Sequence, residues 1–118
     1  MNHPYNKLAA VGNVYVRLME FRKAGDVEQG HVHNFDHSTL LAHGSVMIRA
    51  KGKETVFKAP MLIWINKDVE HELTALEDNT ICACIHALRH MDGEIIDPES
   101  IPKGAEIDYK PETGIAHF

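Results

Sequence analysis

The sequence predicts an all-β domain, either a sandwich or a jelly-roll barrel, built from about seven or eight short strands. Runs rich in β-branched and aromatic residues recur along the chain, and turn-forming residues separate them at short intervals. No segment carries a sustained helical period. Because 118 residues are enough for one buried core but too few for two, we expect a single domain over residues 1–118. Its barrel core is predicted at about residues 13–88.

Three strands are predicted in the first part of the chain. The run NVYVRLMEF at residues 13–21 has the composition of a strand. Residues 23–30 contain two glycines and three charged side chains and are expected to interrupt the sheet. A short strand holding His31 and His33 follows, and a strand at residues 37–43 comes directly after a turn. We expect these two strands to be successive and tightly joined.

Five more predicted strands complete the barrel, each bounded by turn-forming residues: 45–50, 54–58, 61–65, 71–76 and 80–88. The first two flank a Lys-Gly-Lys turn, and the alternation of side chains before that turn is typical of a hairpin. The run MLIWI is apolar throughout, so we expect a strand that is covered on both faces. Residues 89–118, with repeated prolines and glycines, are predicted to form an irregular tail that packs on the barrel or on a neighbour.

Composition and charge argue against two classes of partner. Asp and Glu number 17 against 12 Lys and Arg, the formal net charge is -5, and the basic residues form no runs. Nucleic acids and anionic membranes are therefore not expected as partners. The longest strongly apolar stretch is far shorter than the roughly 20 residues needed to span a bilayer, and the N-terminus lacks an apolar signal core. We expect a cytoplasmic protein.

Nine dispersed histidines are the first functional clue in this chain. His31 and His33 are separated by one residue, so on a strand both imidazoles leave the same face and are able to share one metal ion at about 2.0 to 2.1 Å. His37 begins the next predicted strand. His71 comes much later, after the apolar run and its turn, and joins the others only if the sheet curls back on itself, as it does in a barrel.

The spacing of these histidines resembles the first motif of the cupin superfamily, G(X)5HXH(X)3,4E(X)6G. Gly25, His31, His33 and Gly44 match that motif with every spacing intact, and His37 stands at the glutamate position. In the second motif, G(X)5PXG(X)2H(X)3N, His71 falls at the histidine position. The glycine, proline, glycine and asparagine positions of that motif hold other residues: Pro60, Asn66, Asp68 and Ala75. The resemblance covers residues 25–75.

The resemblance implies a cupin-type jelly-roll β-barrel, a double-stranded β-helix, with irregular terminal segments and a metal ion inside its mouth. The implied ligands are His31, His33, His37 and His71. An imidazole at position 37 in place of a carboxylate leaves the full charge of the ion for solvent or substrate to balance, which favours anionic ligands. Imidazole suits transition metals rather than magnesium or calcium, so iron, nickel, zinc, copper and manganese are the candidates. Alternatively, His37 is a polar lining residue above a three-histidine site.

Three functions are compatible with such a site. The first is a mononuclear metalloenzyme, for example a dioxygenase, that acts on a small anionic molecule. The second is a non-catalytic ligand-binding or sensing module whose metal is structural. The third is an isomerase or lyase for a sugar-like or keto-acid substrate. No catalytic residue is assigned, because Asp36, Asp68 and Glu70 lie in predicted turns. A homodimer is expected, with the terminal segments supplying exchanged strands.

Four other potential ligands have open roles: His43, His86, Cys82 and Cys84. His43 is about 20 Å of extended chain from His37, which is too far to touch the same ion. The other three either line the pocket or belong to a buried strand, and the second alternative is the simpler. A disulfide between the cysteines is not expected, because a strand points both the same way without easy bonding geometry. Tyr15, Arg17 and Arg49 would contact a substrate if their faces point inward.

Overall fold

The computed structural model describes residues 2–31, 36–90, 92, 94–97 and 99, except for the side chains of Val11 and His31. This part of the chain contains nine β-strands and no α-helix, and therefore no helix able to cross a membrane. In chain order the strands are β1 (Tyr5–Val11), β2 (Val14–Phe21), β3 (Val27–His31), β4 (His37–His43), β5 (Ser45–Ala50), β6 (Lys53–Lys58), β7 (Met61–Ile65), β8 (His71–Ala75) and β9 (Thr80–Ala87).

The strands form two antiparallel sheets that face each other. Sheet A has the order β1-β2-β9-β4-β7, and sheet B has the order β3-β8-β5-β6. Alternate residues of each strand point between the sheets, because side chains along a strand leave opposite faces in turn. The largest buried apolar side chains of this core are Phe21, Met19, Leu41, Leu73 and Val46. The predicted all-β jelly-roll architecture is confirmed.

Gly25 and Gly44 have backbone conformations that explain why glycine stands at these positions. Their φ angles are 93° and 83°, in the region that residues with a Cβ rarely adopt. At Gly44 a Cβ would also press against the Thr80 side chain. Main-chain bonds secure both glycines, from Gly25 N to Ala75 O at 2.8 Å and from Ala59 N to Gly44 O at 2.9 Å. The two glycines therefore fix how the chain enters β3 and leaves β4.

Two features of the N-terminal half differ from the sequence-based expectation. β1 precedes residue 13 and pairs along its whole length with β2, through a turn at Gly12 with φ of 57°. The expectation that residues 23–30 interrupt the sheet was wrong, because β3 begins at Val27 and its Glu28 pairs with Leu73 of β8. β3 and β4 follow each other in the chain, but they lie in different sheets.

The apolar strand β7 is covered on one face, not on both as its composition predicted. Ile63 and Ile65 face the core and are buried, whereas Leu62 and Trp64 are 73% and 62% exposed. The reason is its place in the sheet: β7 is an edge strand of sheet A, and sheet B covers the inner face of that sheet. The outer face of β7 is thus an exposed apolar surface.

The described part of the predicted tail returns to the barrel. Arg89 forms an isolated antiparallel bridge with Ile95, and the Ile96 N–H donates to Leu88 O at 2.9 Å. The Asn13 side-chain amide donates to Ile96 O at 3.0 Å. These bonds place residues 94–96 beside the end of β9. Residues 100–118 lie outside the described part.

Candidate metal centre

His37 and His71 meet inside the barrel from opposite sheets. His37 is the first residue of β4 in sheet A, and His71 is the first residue of β8 in sheet B. Each is only 3% exposed. Their ring centroids are 5.2 Å apart, with an angle of 45° between the ring planes. The closure of the sheet thus brings together two histidines that are 34 residues apart in the sequence.

The distance between the two rings fits a shared metal ion. Imidazoles that each bind one ion at about 2.0 to 2.1 Å have ring centres roughly 4.5 to 5.5 Å apart, depending on the angle at the ion. The separation of 5.2 Å lies within this range. Two imidazoles in a buried setting form a donor pair that suits a transition metal.

The ring of His71 is oriented by a main-chain bond. Its Nδ1 lies 2.9 Å from Val69 O, and since a carbonyl oxygen only accepts, Nδ1 carries the proton. In the neutral ring this leaves the lone pair on Nε2 as the only acceptor. Metal-binding histidines are commonly held in this way, by an N–H donated from the nitrogen that does not bind the metal. Nε2 is therefore the nitrogen through which His71 would bind a metal ion.

Of the other two predicted ligands, His31 and His33, the structure describes only the main chain of His31. The main chain of His31 lies directly opposite His71 in the β3–β8 ladder, after a register shift that follows Glu28. The side chain of His31 and the whole of His33 lie outside the described residues. Within the described residues, no three His, Cys, Asp or Glu side chains are grouped so that they could hold a metal. His37 and His71 alone are two ligands, so a complete site requires the motif-one pair.

His86 lies at the same end of the barrel as His37, which the sequence left open. Ser38 of β4 pairs with Ile85 of β9. Because the two strands are antiparallel, the residue before Ser38, His37, lies opposite the residue after Ile85, His86. The His86 Nδ1–H donates to Ala87 O at 2.8 Å. Its ring lies against Tyr15, with centroids 4.8 Å apart. Tyr15 and His86 therefore face inward beside the histidine pair.

An ion pair between Arg17 and Glu28 closes the gap between the two sheets on the β2–β3 side. The Arg17 Nη2 donates to Glu28 Oε1, and the two side chains are 24% and 13% exposed. Arg17 Nε also donates to Asn6 of β1 at 3.1 Å. Arg17 faces inward as a substrate contact would require, but its guanidinium is already bonded to a carboxylate of the protein.

Cys82 and Cys84 also face the interior, and their thiols are held in the protonated form. Burial raises the pKa of Cys82 to about 12, with a smaller contribution from Cys84. Burial also raises the pKa of Cys84, although a hydrogen bond with Thr39, at 3.7 Å between Sγ and Oγ1, acts in the opposite direction. Both cysteines are free. With their pKa raised in this way, neither thiol is a ready nucleophile.

His43 and Arg49 point away from the candidate centre. His43 is exposed, and its Nδ1–H donates to Asn79 O at 2.8 Å. Arg49 lies on the outer face of β5, where it forms ion pairs with Glu54 at 2.9 Å and with Glu72 at 3.7 Å, and it also lines the larger of the two pockets that reach His71. The prediction that His43 is too far to share the ion agrees with this placement.

Two pockets reach His71 from the surface. The larger, which we name the mouth pocket, has a volume of about 680 Å³ and lies between β3, the β5–β6 turn and residues 68–72. Asp68 and Glu70 border it together with His71. The smaller, which we name the side pocket, has a volume of about 210 Å³ and lies between β6 and β7. His71 therefore lies on the wall of two pockets that are large enough for small molecules.

Comparison with known proteins gives structural relatives only. No protein-family profile and no curated protein sequence matches the chain. KdgF from Halomonas sp. superposes with a TM-score of 0.63 at 18% identity, over 74% of this chain and 80% of that chain. A cupin superfamily protein from Desulfitobacterium hafniense DCB-2 gives 0.65 at 13% identity, over 75% and 80%.

A third similar structure is of a protein whose architecture is stated, a double-stranded β-helix. An RmlC-like cupin family protein with a double-stranded β-helix fold, from Methanocaldococcus jannaschii, gives a TM-score of 0.61 at 9% identity, over 70% of this chain and 80% of that chain. At such low sequence identity, structural similarity shows that the fold is shared and nothing about activity. The chain has the cupin fold, and the architecture that its motifs implied is confirmed.

Proposed function

We propose that this chain is a metal-binding cupin, a mononuclear metalloenzyme that acts on a small anionic molecule. His31, His33, His37 and His71 bind one divalent transition metal, which is iron, nickel, zinc, copper or manganese. The observation that carries the proposal is the meeting of two buried imidazoles from opposite sheets, 5.2 Å apart. The motif spacing supports it, because His31, His33 and His71 stand at the histidine positions of the cupin motifs and His37 stands at the glutamate position.

The chain supplies orientation, access and charge at this centre. A bound ion would supply a Lewis acid for an anionic substrate and, if it is redox-active, a centre for dioxygen chemistry. The bond from Nδ1 to Val69 O fixes the ring of His71 and its ligating nitrogen. Asp68, Glu70 and Glu72 line the mouth pocket, where their carboxylates would accept a proton from a substrate, and Glu72 is paired with Arg49 at 3.7 Å.

An open site is favoured over a closed structural one. His71 borders both pockets, which would give a small molecule a route to the proposed metal. A closed four-histidine zinc site would leave no position for substrate, since structural zinc is almost always four-coordinate. This access is the reason to prefer an enzyme over a binding module with a structural metal.

Metal content of the untagged protein tests the proposal. We expect about one equivalent of transition metal per chain by elemental analysis, and a loss of more than about tenfold in metal affinity in His37→Ala and His71→Ala. His90→Ala is the matched control, because His90 is exposed. Full metal content in both interior variants, with unchanged circular dichroism, would contradict the proposed site.

Oxygen consumption tests the reaction class. Protein loaded with iron is compared with protein loaded with zinc, over a panel of keto acids, diketones and thiols. Uptake with iron but not with zinc supports a dioxygenase. Turnover without oxygen uptake favours an isomerase or lyase, and stoichiometric zinc without any turnover favours the ligand-binding alternative.

A further inference from the structure

The side pocket lies between the edge strands of the two sheets and ends at His71. β6 is the edge of sheet B, and β7 is the edge of sheet A. Its walls are largely apolar and come from both sheets, with Ile48 and Phe57 on one side and Ile63 on the other. The pocket thus combines an apolar interior with direct contact to a proposed metal ligand.

Two lysines line the side pocket, and no acidic residue does so within the described part of the chain. Lys51 lies in the β5–β6 turn, and Lys53 is the first residue of β6. Neither forms an ion pair with a described residue. In a chain with a formal charge of -5, a pair of cations without a described counter-ion is a distinctive local feature.

Strand alternation places Lys53 on the pocket face of β6. Lys53, Thr55 and Phe57 line the pocket, whereas Lys58 has the opposite parity and does not line it; both lysines are exposed to solvent. Lys53 pairs with Ala50 of β5, and Ala50 pairs with His71 of β8. Lys53 and His71 are thus two strands apart in one row, at roughly 10 Å between Cα atoms. A molecule of a few ångströms in length fits between these residues.

We propose that the side pocket binds a small organic carboxylate with an apolar body. The carboxylate lies at Lys51 and Lys53, and the body packs between Phe57 and Ile63, with its far end toward His71. The volume of about 210 Å³ equals about seven waters at about 30 Å³ each, which suits a molecule of benzoate size. That this ligand is the substrate rests on the proposed function; that the pocket binds it does not.

Calorimetric titration of the full chain with benzoate and with its neutral isostere benzamide tests the proposal. We expect benzoate to bind at least about fivefold more tightly than benzamide, and Lys53→Gln or Lys51→Gln to weaken benzoate about fivefold, as the loss of one nearby charge in water predicts. Benzamide affinity should not change in either variant. Lys58→Gln, on the same strand but the opposite face, should leave both affinities unchanged.

The outcomes separate this proposal from the metal site. Benzoate binding that depends on Lys51 and Lys53 in metal-free protein supports the pocket even if the metal test fails. Equal affinity for benzoate and benzamide, no effect of either lysine variant, or no binding of benzoate at millimolar concentration overturns the pocket, whatever the metal content. Inorganic phosphate that competes as well as benzoate would show binding by charge alone and overturn the role of the apolar walls.

Discussion

Cys84 is the residue whose chemistry depends most on its neighbours in the barrel. It lies opposite Arg17 on β2 and Thr39 on β4, at the centre of sheet A. Arg17 and the hydrogen bond from Thr39 lower its pKa, whereas burial and Glu28 raise it, and burial prevails. A thiol beside an arginine is therefore kept protonated by the same packing that forms the core.

We predict that Cys82 and Cys84 resist alkylation in the folded protein. Because the pKa of Cys82 rises from 9.0 to about 12, its thiolate population below pH 9 falls about a thousandfold. Labelling by iodoacetamide at about pH 8, followed by mass spectrometry, should be slow for both residues and should accelerate as the pH rises toward 12. The urea-unfolded chain is the control. Labelling of either folded thiol at the unfolded rate would show that the thiol is not shielded.

At the scale of the element, the path of β4 depends on Gly44. The residue combines a φ of 83° with a close approach to Thr80, so two separate constraints act at one position. Gly52 provides a natural comparison, because its φ is 71° but nothing lies within 4 Å of a Cβ added there. Comparing alanine substitutions at Gly44 and Gly52 therefore separates the free-energy cost of the backbone conformation from the free-energy cost of steric crowding.

We predict that Gly44→Ala destabilises the fold more than Gly52→Ala does. Gly52→Ala should cost about 1 to 2 kcal/mol for the left-handed conformation alone. Gly44→Ala should cost about 1 to 3 kcal/mol more, because Thr80 must also move. Urea unfolding followed by circular dichroism measures both. Equal losses would mean that the approach of Thr80 to Gly44 contributes nothing.

Some strands of this chain could be predicted from the sequence, and others could not. β4, β5 and β6 could be predicted from their composition and turns, but the start of β3 could not, because Glu28, Gln29 and Gly30 have the composition of a loop. Only the pairing of Val27 and Glu28 with β8 makes this segment a strand. β1 lacks a clear polar alternation, and its pairing with β2 defines it. Tertiary pairing decides such segments.

The same limit applies to the candidate site. The interior position of His71 could be predicted from motif spacing, because it follows an apolar strand at the expected distance. The inward position of His86 could not, since TICACIHA is apolar on both faces of β9 and gives no polarity from which to read a side. The lysines of the side pocket gave no signal either, because their shared face depends on the β5–β6 register.

At the scale of the whole molecule, we predict a homodimer that covers the outer face of β7. The composition of this strand predicts burial on both faces, whereas its own chain leaves Leu62 and Trp64 exposed. The apolar outer face of an edge strand can pack against the same face of a second copy related by a twofold axis. This dimer would form through the outer faces of β7, in addition to the strand exchange that the terminal segments could supply.

Light scattering at micromolar concentration checks this prediction. The wild-type chain should have twice the mass of one chain, and Leu62→Glu should shift it toward a monomer by placing a charge in the interface. Val56→Glu is the matched control, because Val56 is 63% exposed on an edge strand of the other sheet. A monomeric wild-type protein would reject the dimer.

Anomalous diffraction from crystals of the untagged protein grown with zinc or iron tests the metal centre most directly. The account predicts a strong peak inside the barrel, within about 2.3 Å of Nε2 of His71 and of an imidazole nitrogen of His37. Ordered metal found only on the surface, with the space between these two rings empty of anomalous signal, would contradict it.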